Sequence, residues 1–393
     1  MPPSGIYTVR DAHAMMKERG NFELKAWPIL AVTVIQGILF LAHLFLLHTW
    51  VAFWPSLVNY LPVLRPVIYV LALSFAPATL LAFKFSNTVV RFCYTAASIW
   101  LGFLNFLFFA ACLSWLAWYA IRLAGPTSTA IRPYLCAAFT AAALIAGIYG
   151  IVDARIIRVR RIAVKLPNLP AAWRGRTAVM LSDLHLGPVN GTRFCARIVQ
   201  MVAALKPDIV FIPGDLFDGT HAQLERLLTP VQQLHPPFGI YFSTGNHEEF
   251  SDPAPYLEAI TRAGIRTLVN ESVLVDGLTV AGVSYSLTHS PIELRTVLES
   301  IRMQAGESGI LLNHVPTRLP LVEGAGFALQ LSGHTHRGQI FPFTWITKRV
   351  FGPFTYGLNN FGGLQVYTSS GAGTWGPPMR VGSAPEIVQI TFE

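Results

Sequence analysis

The sequence predicts an α/β domain preceded by an all-α transmembrane bundle. Three observations carry that expectation. Hydrophobic residues make up 52% of the 393 and charged residues only 13%, against roughly 25% charged in an average soluble domain. Most of the apolar excess lies before Asp153. Beyond it, short apolar runs alternate with helical stretches, as in an α/β fold.

Four apolar stretches can be drawn in the first part: Ile29–Phe53, Pro66–Phe83, Tyr94–Tyr119 and Pro133–Val152. Each is long enough to cross about 30 Å of hydrocarbon. Aromatic residues such as Trp27, Trp50, Trp54, Trp118, Tyr119 and Tyr134 cluster near their ends, where amphipathic rings anchor a helix at the membrane interface. A cleaved signal would be one short apolar segment after a basic start, and this pattern is not that. His43 is the main ionisable residue inside the spans, and is read as a packed or interfacial histidine rather than a proton relay.

Basic residues orient the bundle. With four spans, Arg10, Lys17, Arg19 and Lys25, the loop residues Lys84 and Arg91, and the exit residues Arg155, Arg158, Arg160, Arg161 and Lys165 share one side. The other side holds Arg65, Arg122 and Arg132. The positive-inside rule therefore predicts an inner-membrane, multi-pass protein with both termini and the α/β domain in the cytoplasm. The four cysteines form no CxxC or zinc spacing, which is compatible with a reducing compartment. The net charge of +8 reads as basic residues facing membrane lipids; no recognition motif accompanies it, so no nucleic-acid partner is expected. Nothing specifies an oligomeric state.

The run from Arg155 to Lys165 partly alternates apolar and basic residues, the pattern of an edge strand whose basic face lies near anionic headgroups. The expected division is thus a membrane domain over 1–154 and an α/β domain over 155–393. Apolar strands are predicted at Ala178–Leu181, Ile209–Ile212, Ile240–Phe242, Ile310–Leu312 and Leu329–Leu331, with helices over Thr192–Leu205, His221–Leu234, Pro255–Ala263 and Pro291–Gln304. About 240 residues suffice for one large core.

Each predicted strand runs into a short polar motif. These are Ser182-Asp183-Leu184-His185, Gly214-Asp215-Leu216-Phe217-Asp218, Gly245-Asn246-His247-Glu248, Asn313-His314-Val315-Pro316 and Gly333-His334-Thr335-His336. One such motif alone reads as a turn. Five at the carboxyl ends of neighbouring strands place oxygen and imidazole donors where open α/β sheets keep their sites. If the strands continue through the motifs, Asp183 and His185 share a face, as do His334 and His336. Gly214, Gly245 and Gly333 are expected to permit the sharp turns. Such donors suit two transition-metal ions and metal-assisted phosphoester hydrolysis.

The order DxH, GD, GNH, H, GHxH resembles the calcineurin-like metallophosphoesterase superfamily over about residues 156 to 393. SDLHLG, SGHTHRGQI and SSGAGTWGPPMR are similar to its bacterial membrane-associated branch. The resemblance implies two β-sheets flanked by helices. It also implies that Asp183, His185 and His336 bind one metal, that Asn246, His314 and His334 bind the other, and that Asp215 bridges them. His247 would face the phosphate, stabilising the transition state or protonating the leaving oxygen, with Asp218 as its orienting partner or else a solvated turn carboxylate. A metal-bridging hydroxide would be the nucleophile. Two divalent ions are implied, with Mn, Fe or Zn suited to the mixed nitrogen and oxygen donors better than Mg or Ca.

The match has a departure. Ser/Thr protein phosphatases carry an Arg after the second Asp, where this chain has Gly219, so phosphoprotein substrates become less expected. Arg337 could supply a substitute charge to bind substrate, or be solvated. Glu248 is read either as orienting a ligand histidine or as capping a helix. The segment from Ile340 to Tyr356 is unusually aromatic and cationic for a loop beside a site. It either packs on its own domain or dips into the membrane interface, where such a rim would suit an amphiphilic phosphoester. The expected activity is that of a membrane-anchored, dinuclear phosphoester or pyrophosphate hydrolase acting on a lipid-linked substrate. A phosphodiesterase for soluble nucleotides with the bundle as anchor, and a noncatalytic metal-binding scaffold, are the rival expectations.

Overall fold

The computed structural model describes residues 26–393 except 127, 221, 222, 302, 304 and 305. Arg10, Lys17, Arg19 and Lys25, and the expected helix ends at His221 and Gln304, lie outside the described residues. Four long helices come first: α1 (Ala26–Phe53), α2 (Leu61–Lys84), α3 (Thr88–Ala124) and α4 (Arg132–Asp153). By length and composition the described residues contain four helices able to cross a membrane. Their starts follow local chemistry. Asn87 caps α3 by accepting the Val90 N–H at 2.9 Å, and proline opens both α2 and α4, where a missing N–H costs nothing. The helices share a core of Leu46, Leu104, Leu107 and Ala143. His43 is buried and receives the Trp100 indole N–H at 2.8 Å, so it is a packed residue.

The chain then passes directly into two six-stranded sheets. The first has the order β1 (Arg158–Val164), β12 (Glu386–Phe392), β2 (Thr177–Met180), β3 (Ile209–Pro213), β4 (Ile240–Ser243), β5 (Arg266–Thr267). The second runs β10 (Gly357–Phe361), β11 (Leu364–Thr368), β9 (Leu329–Ser332), β8 (Gly309–Leu312), β7 (Leu278–Gly282), β6 (Glu271–Val275). β1 is an edge strand, as its basic face predicts, and pairs parallel with β12. The period of two sorts the apolar residues. Ala178, Met180, Ile209 and Phe211 face Ile310, Leu312, Leu329 and Leu331 across the inter-sheet core. Val179, Val210 and Ile212 point outward to α5 (Thr192–Leu205), α6 (Leu224–Leu228) and α8 (Ala254–Arg262), which follows the short α7 (Asn246–Glu249). On the far side Leu311 and Val366 pack against α9 (Pro291–Ser300) and α10 (Leu319–Gly324). The result is the expected αββα sandwich.

The segment read from sequence as a loop contains a helix, α11 (Phe343–Phe351). Phe343, Ile346 and Val350 recur at helical spacing and are exposed, as is Trp345. Thr344 and Thr347 lie on the protein side, where Thr355 Oγ1 donates to the Thr347 carbonyl at 3.1 Å. No residue of α11 is buried.

The sandwich rests on the helices at several points. Ile340 and Met379 are buried within the helical core. The Arg380 N–H donates to the Gly150 carbonyl at 2.9 Å, Asn105 Nδ2 to the Phe341 carbonyl at 3.0 Å, and Arg91 Nε to the Pro188 carbonyl at 3.2 Å.

Candidate metal centre

All five motifs converge at the carboxyl ends of β2, β3, β4, β8 and β9, but not by strand alternation. The strands stop first, and Asp183, His185, Asp215, His334 and His336 take left-handed backbone angles, with φ of 51°, 47°, 52°, 68° and 47°. In place of pleating, a tight non-strand turn turns each donor of the DxH and HxH pairs inward. Such backbone costs on the order of 1–3 kcal/mol per non-glycine residue and concentrates at functional sites. The glycines also differ in purpose. All three lack space for a side chain, Gly214 lying against His314, Gly245 against Asp215, and Gly333 against Ser182 and Asp183, and Gly214 alone of them also needs a positive φ, of 87°.

Asp183 is fully buried and held from both sides: Ser182 Oγ donates to Oδ2 at 2.6 Å and the His334 N–H to Oδ1 at 2.9 Å. His185 Nε2 and His336 Nε2 are 2.9 Å apart, and His336 Nε2 is 3.5 Å from Asp183 Oδ1. On the other side, Asn246 Oδ1 is 2.9 Å from His334 Nδ1 and 3.2 Å from His314 Nε2. His314 is oriented by its other nitrogen, whose N–H donates to the Pro213 carbonyl at 2.8 Å. Asp215 lies between these groups, with Oδ2 3.2 Å from His314 Nε2 and 3.8 Å from His185 Nε2.

The electrostatics follow from burial and crowding. Burial opposes ionisation of Asp215, but His314, His247 and His185 overcome it and hold this carboxyl well below the usual range. Burial disfavours a charged His314 as well, yet Asp215 and Asp183 push it up to about 10. Burial lowers His185 and His336 well below the usual imidazole value and His334 to about 4. Burial, then the charge of Asp215, raises Asp218 well above the carboxylate range. Buried donors pointing at one another, such as His185 Nε2 and His336 Nε2 at 2.9 Å, are the arrangement a divalent cation satisfies. Three such groupings could hold an ion: Asp183 with His185 and His336, His185 with Asp215 and His247, and Asp183 with Asp215 and His314.

One expectation changes and two left open are narrowed. The Asp218 carboxylate lies nearer His185, its Oδ1 3.8 Å from His185 Nδ1, and Asp218 meets the His247 ring through its backbone carbonyl instead. Glu248 orients no histidine: it receives the N–H groups of Asp215 at 3.0 Å, Phe217 at 2.9 Å and Gly245 at 2.9 Å. It therefore caps α7 and fixes the turn carrying Asp215. Arg337 stacks on Tyr356, 4.6 Å from the ring centroid, a partner outside the donor cluster.

Arg380 was missed by sequence reasoning, although it ends the quoted SSGAGTWGPPMR run. It is fully buried, donating to the Gly373 carbonyl at 2.6 Å and Ser383 Oγ at 2.8 Å, with one guanidinium nitrogen 3.3 Å from His336 Nδ1. A buried arginine and a solvated one look alike in sequence.

Oxygen and imidazole donors converging at strand ends of an αββα sandwich define a metal-dependent phosphoesterase. Residues 177–338 match the calcineurin-like phosphoesterase family. A Danio rerio protein named "Transmembrane protein with metallophosphoesterase domain" is 32% identical over 320 residues, covering 76% of this chain and 72% of its own length. A Bos taurus protein of the same name is 32% identical over 302 residues, covering 71% and 67%. A Campylobacter jejuni protein named as an uncharacterized metallophosphoesterase is 31% identical over 239 residues, covering 60% and 63%. The chain belongs to the calcineurin-like metallophosphoesterase family, with relatives in animals as well as in bacteria.

Proposed function

We propose that this chain is a membrane-anchored, dinuclear metal-dependent phosphoester or pyrophosphate hydrolase, with a membrane domain over 1–154, a cytoplasmic catalytic domain over 155–393, and a lipid-linked substrate. The observation that carries the dinuclear reading is Asp215, whose Oδ2 approaches His185 of one donor set and His314 of the other. Asp183, His185 and His336 would hold one divalent ion and Asn246, His314 and His334 the second, with Asp215 shared. Bound ions supply an acidified water and neutralise phosphate charge.

The protein's own groups do the remainder. Glu248 and Ser182 hold Asp215 and Asp183 in place. Asp218, facing His185 Nδ1, orients that imidazole from behind. His247 faces the phosphate. Burial lowers its pKa, and a phosphate beside it raises it again by opposite charge, so His247 can pass a proton to the departing oxygen. Hydrolysis then adds water across the P–O bond, the hydroxyl going to phosphorus and the proton to the leaving oxygen.

The exposed face of α11, carrying Phe343, Ile346 and Val350 beside Lys348 and Arg349, supports an interfacial substrate. The test is a screen of full-length, Mn-loaded protein against phosphomonoesters, phosphodiesters and lipid pyrophosphates in detergent. Hydrolysis of the lipid-linked class in preference to soluble esters is expected, with about two ions per chain by elemental analysis and loss of activity in Asp215→Asn. Full activity of Asp215→Asn in metal-free buffer overturns the mechanism.

A further inference from the structure

We infer that Phe250 and Trp375 form an apolar leaving-group subsite beside His247 that takes an alcohol bearing a hydrocarbon chain. The inference rests on the reading of His247 as the residue facing the departing oxygen. The donors are almost wholly buried, His185 being 1% and His314 0% exposed, yet Phe250 and Trp375 beside them are 59% and 55% exposed. Their rings lie 4.6 and 5.9 Å from the His247 ring. Large apolar surfaces left open beside a catalytic group mark a place where a ligand covers them.

The main chain beneath both rings is held in position. Phe250 directly follows α7, the turn of helix that carries His247. Trp375 is gripped through its main chain by Gln339, whose Oε1 accepts its N–H at 3.0 Å and whose Nε2 donates to the Trp375 and Pro377 carbonyls, each at 3.0 Å. Gln339 thereby uses both ends of its amide, leaving neither to read the edge of a nucleobase.

The segments flanking this corner are held against α3. Pro377 and Met379 abut Gly102 of α3. On the other side of His247, Gly187 packs on Asp218 and the next residue, Pro188, accepts a hydrogen bond from Arg91 of α3. The His247 corner thus lies between two contacts with one helix, about 16 Å apart at 1.5 Å per residue. Between them Tyr94, Ala97 and Ser98 are buried, so the sandwich and helices are closely packed there and the open faces of the two rings are left for a ligand to cover.

The experiment uses full-length Mn-loaded protein in nanodiscs and a series of monomeric butyl, hexyl, octyl and decyl phosphates and their methyl diesters, with bis(p-nitrophenyl) phosphate as a reference. In the wild type, kcat/KM should rise about two- to fourfold per added methylene until the subsite fills. Phe250→Ala and Trp375→Ala should flatten that slope, and Trp375→Phe should restore part of it. A flat wild-type series with intact bis(p-nitrophenyl) phosphate turnover overturns the subsite while leaving the phosphoesterase reading standing. So does an undiminished slope in both alanine variants, or a preference for adenosine monophosphate that disappears in Trp375→Ala, which would make the pair a base-stacking clamp. Failure to hydrolyse any ester removes the phosphoesterase reading, and the subsite with it.

Discussion

His314 gives the sharpest expectation at the scale of single residues. In the metal-free protein its pKa is pushed up to about 10, so it carries a proton at neutral pH. A ligand nitrogen must be bare, so metal uptake expels that proton and apparent affinity rises about tenfold per pH unit for each proton displaced, levelling above about pH 10. His185, His334 and His336 have lowered values and release none near pH 7. Calorimetry in buffers of different ionisation enthalpy should count the His314 proton, and buffer-independent heats would remove His314 from the ligand set. His247→Ala should lower kcat by roughly 10² to 10⁴ with metal content near normal; a parallel collapse of metal content would make it a ligand, as its grouping with His185 and Asp215 permits. The donors were legible in sequence because each motif pairs a glycine or an apolar strand end with a metal-binding side chain. Their left-handed backbone was not, since nothing in DxH or GHxH distinguishes a continued strand from a turn. Which ring the Asp218 carboxylate approaches was not legible for a related reason: sequence spacing cannot choose between two adjacent imidazoles.

At the scale of elements, strands were legible as short apolar runs and the first four helices as long ones, and α11 was not. Phe341 to Tyr356 mixes aromatic, cationic and turn residues, and its helical stripe of Phe343, Ile346 and Val350 is too short to stand out before its neighbours are known. The helix offers its own test. Replacing Phe343, Trp345 and Val350 with Ser removes apolar area worth about 25 cal/mol per Å² on burial. The expected result is a higher KM for a substrate embedded in vesicles and nearly unchanged turnover of a soluble phosphodiester. Equal losses on both would show that α11 supports the domain rather than meeting lipid.

For the whole molecule, orientation is the testable property. A reporter fused after Glu393 should behave as cytoplasmic on the positive-inside argument, and an active alkaline phosphatase fusion there would reverse it. The sequence foretold four long apolar helices and the sandwich, but not how far the two parts touch, because contacts such as Arg91 with Pro188 join residues 97 positions apart. One helix turns those contacts into a measure of height. At 37 residues, α3 is about 55 Å long, against roughly 30 Å of hydrocarbon. The surplus of about 25 Å matches the stretch from Thr88 to Asn105 along which the sandwich is fastened. On the proposed reading of α3 as a membrane span, the helix would serve as a ruler setting a fixed standoff between bilayer and metal centre, so that the distance from a substrate's anchor to its phosphorus would become a criterion of selection in its own right.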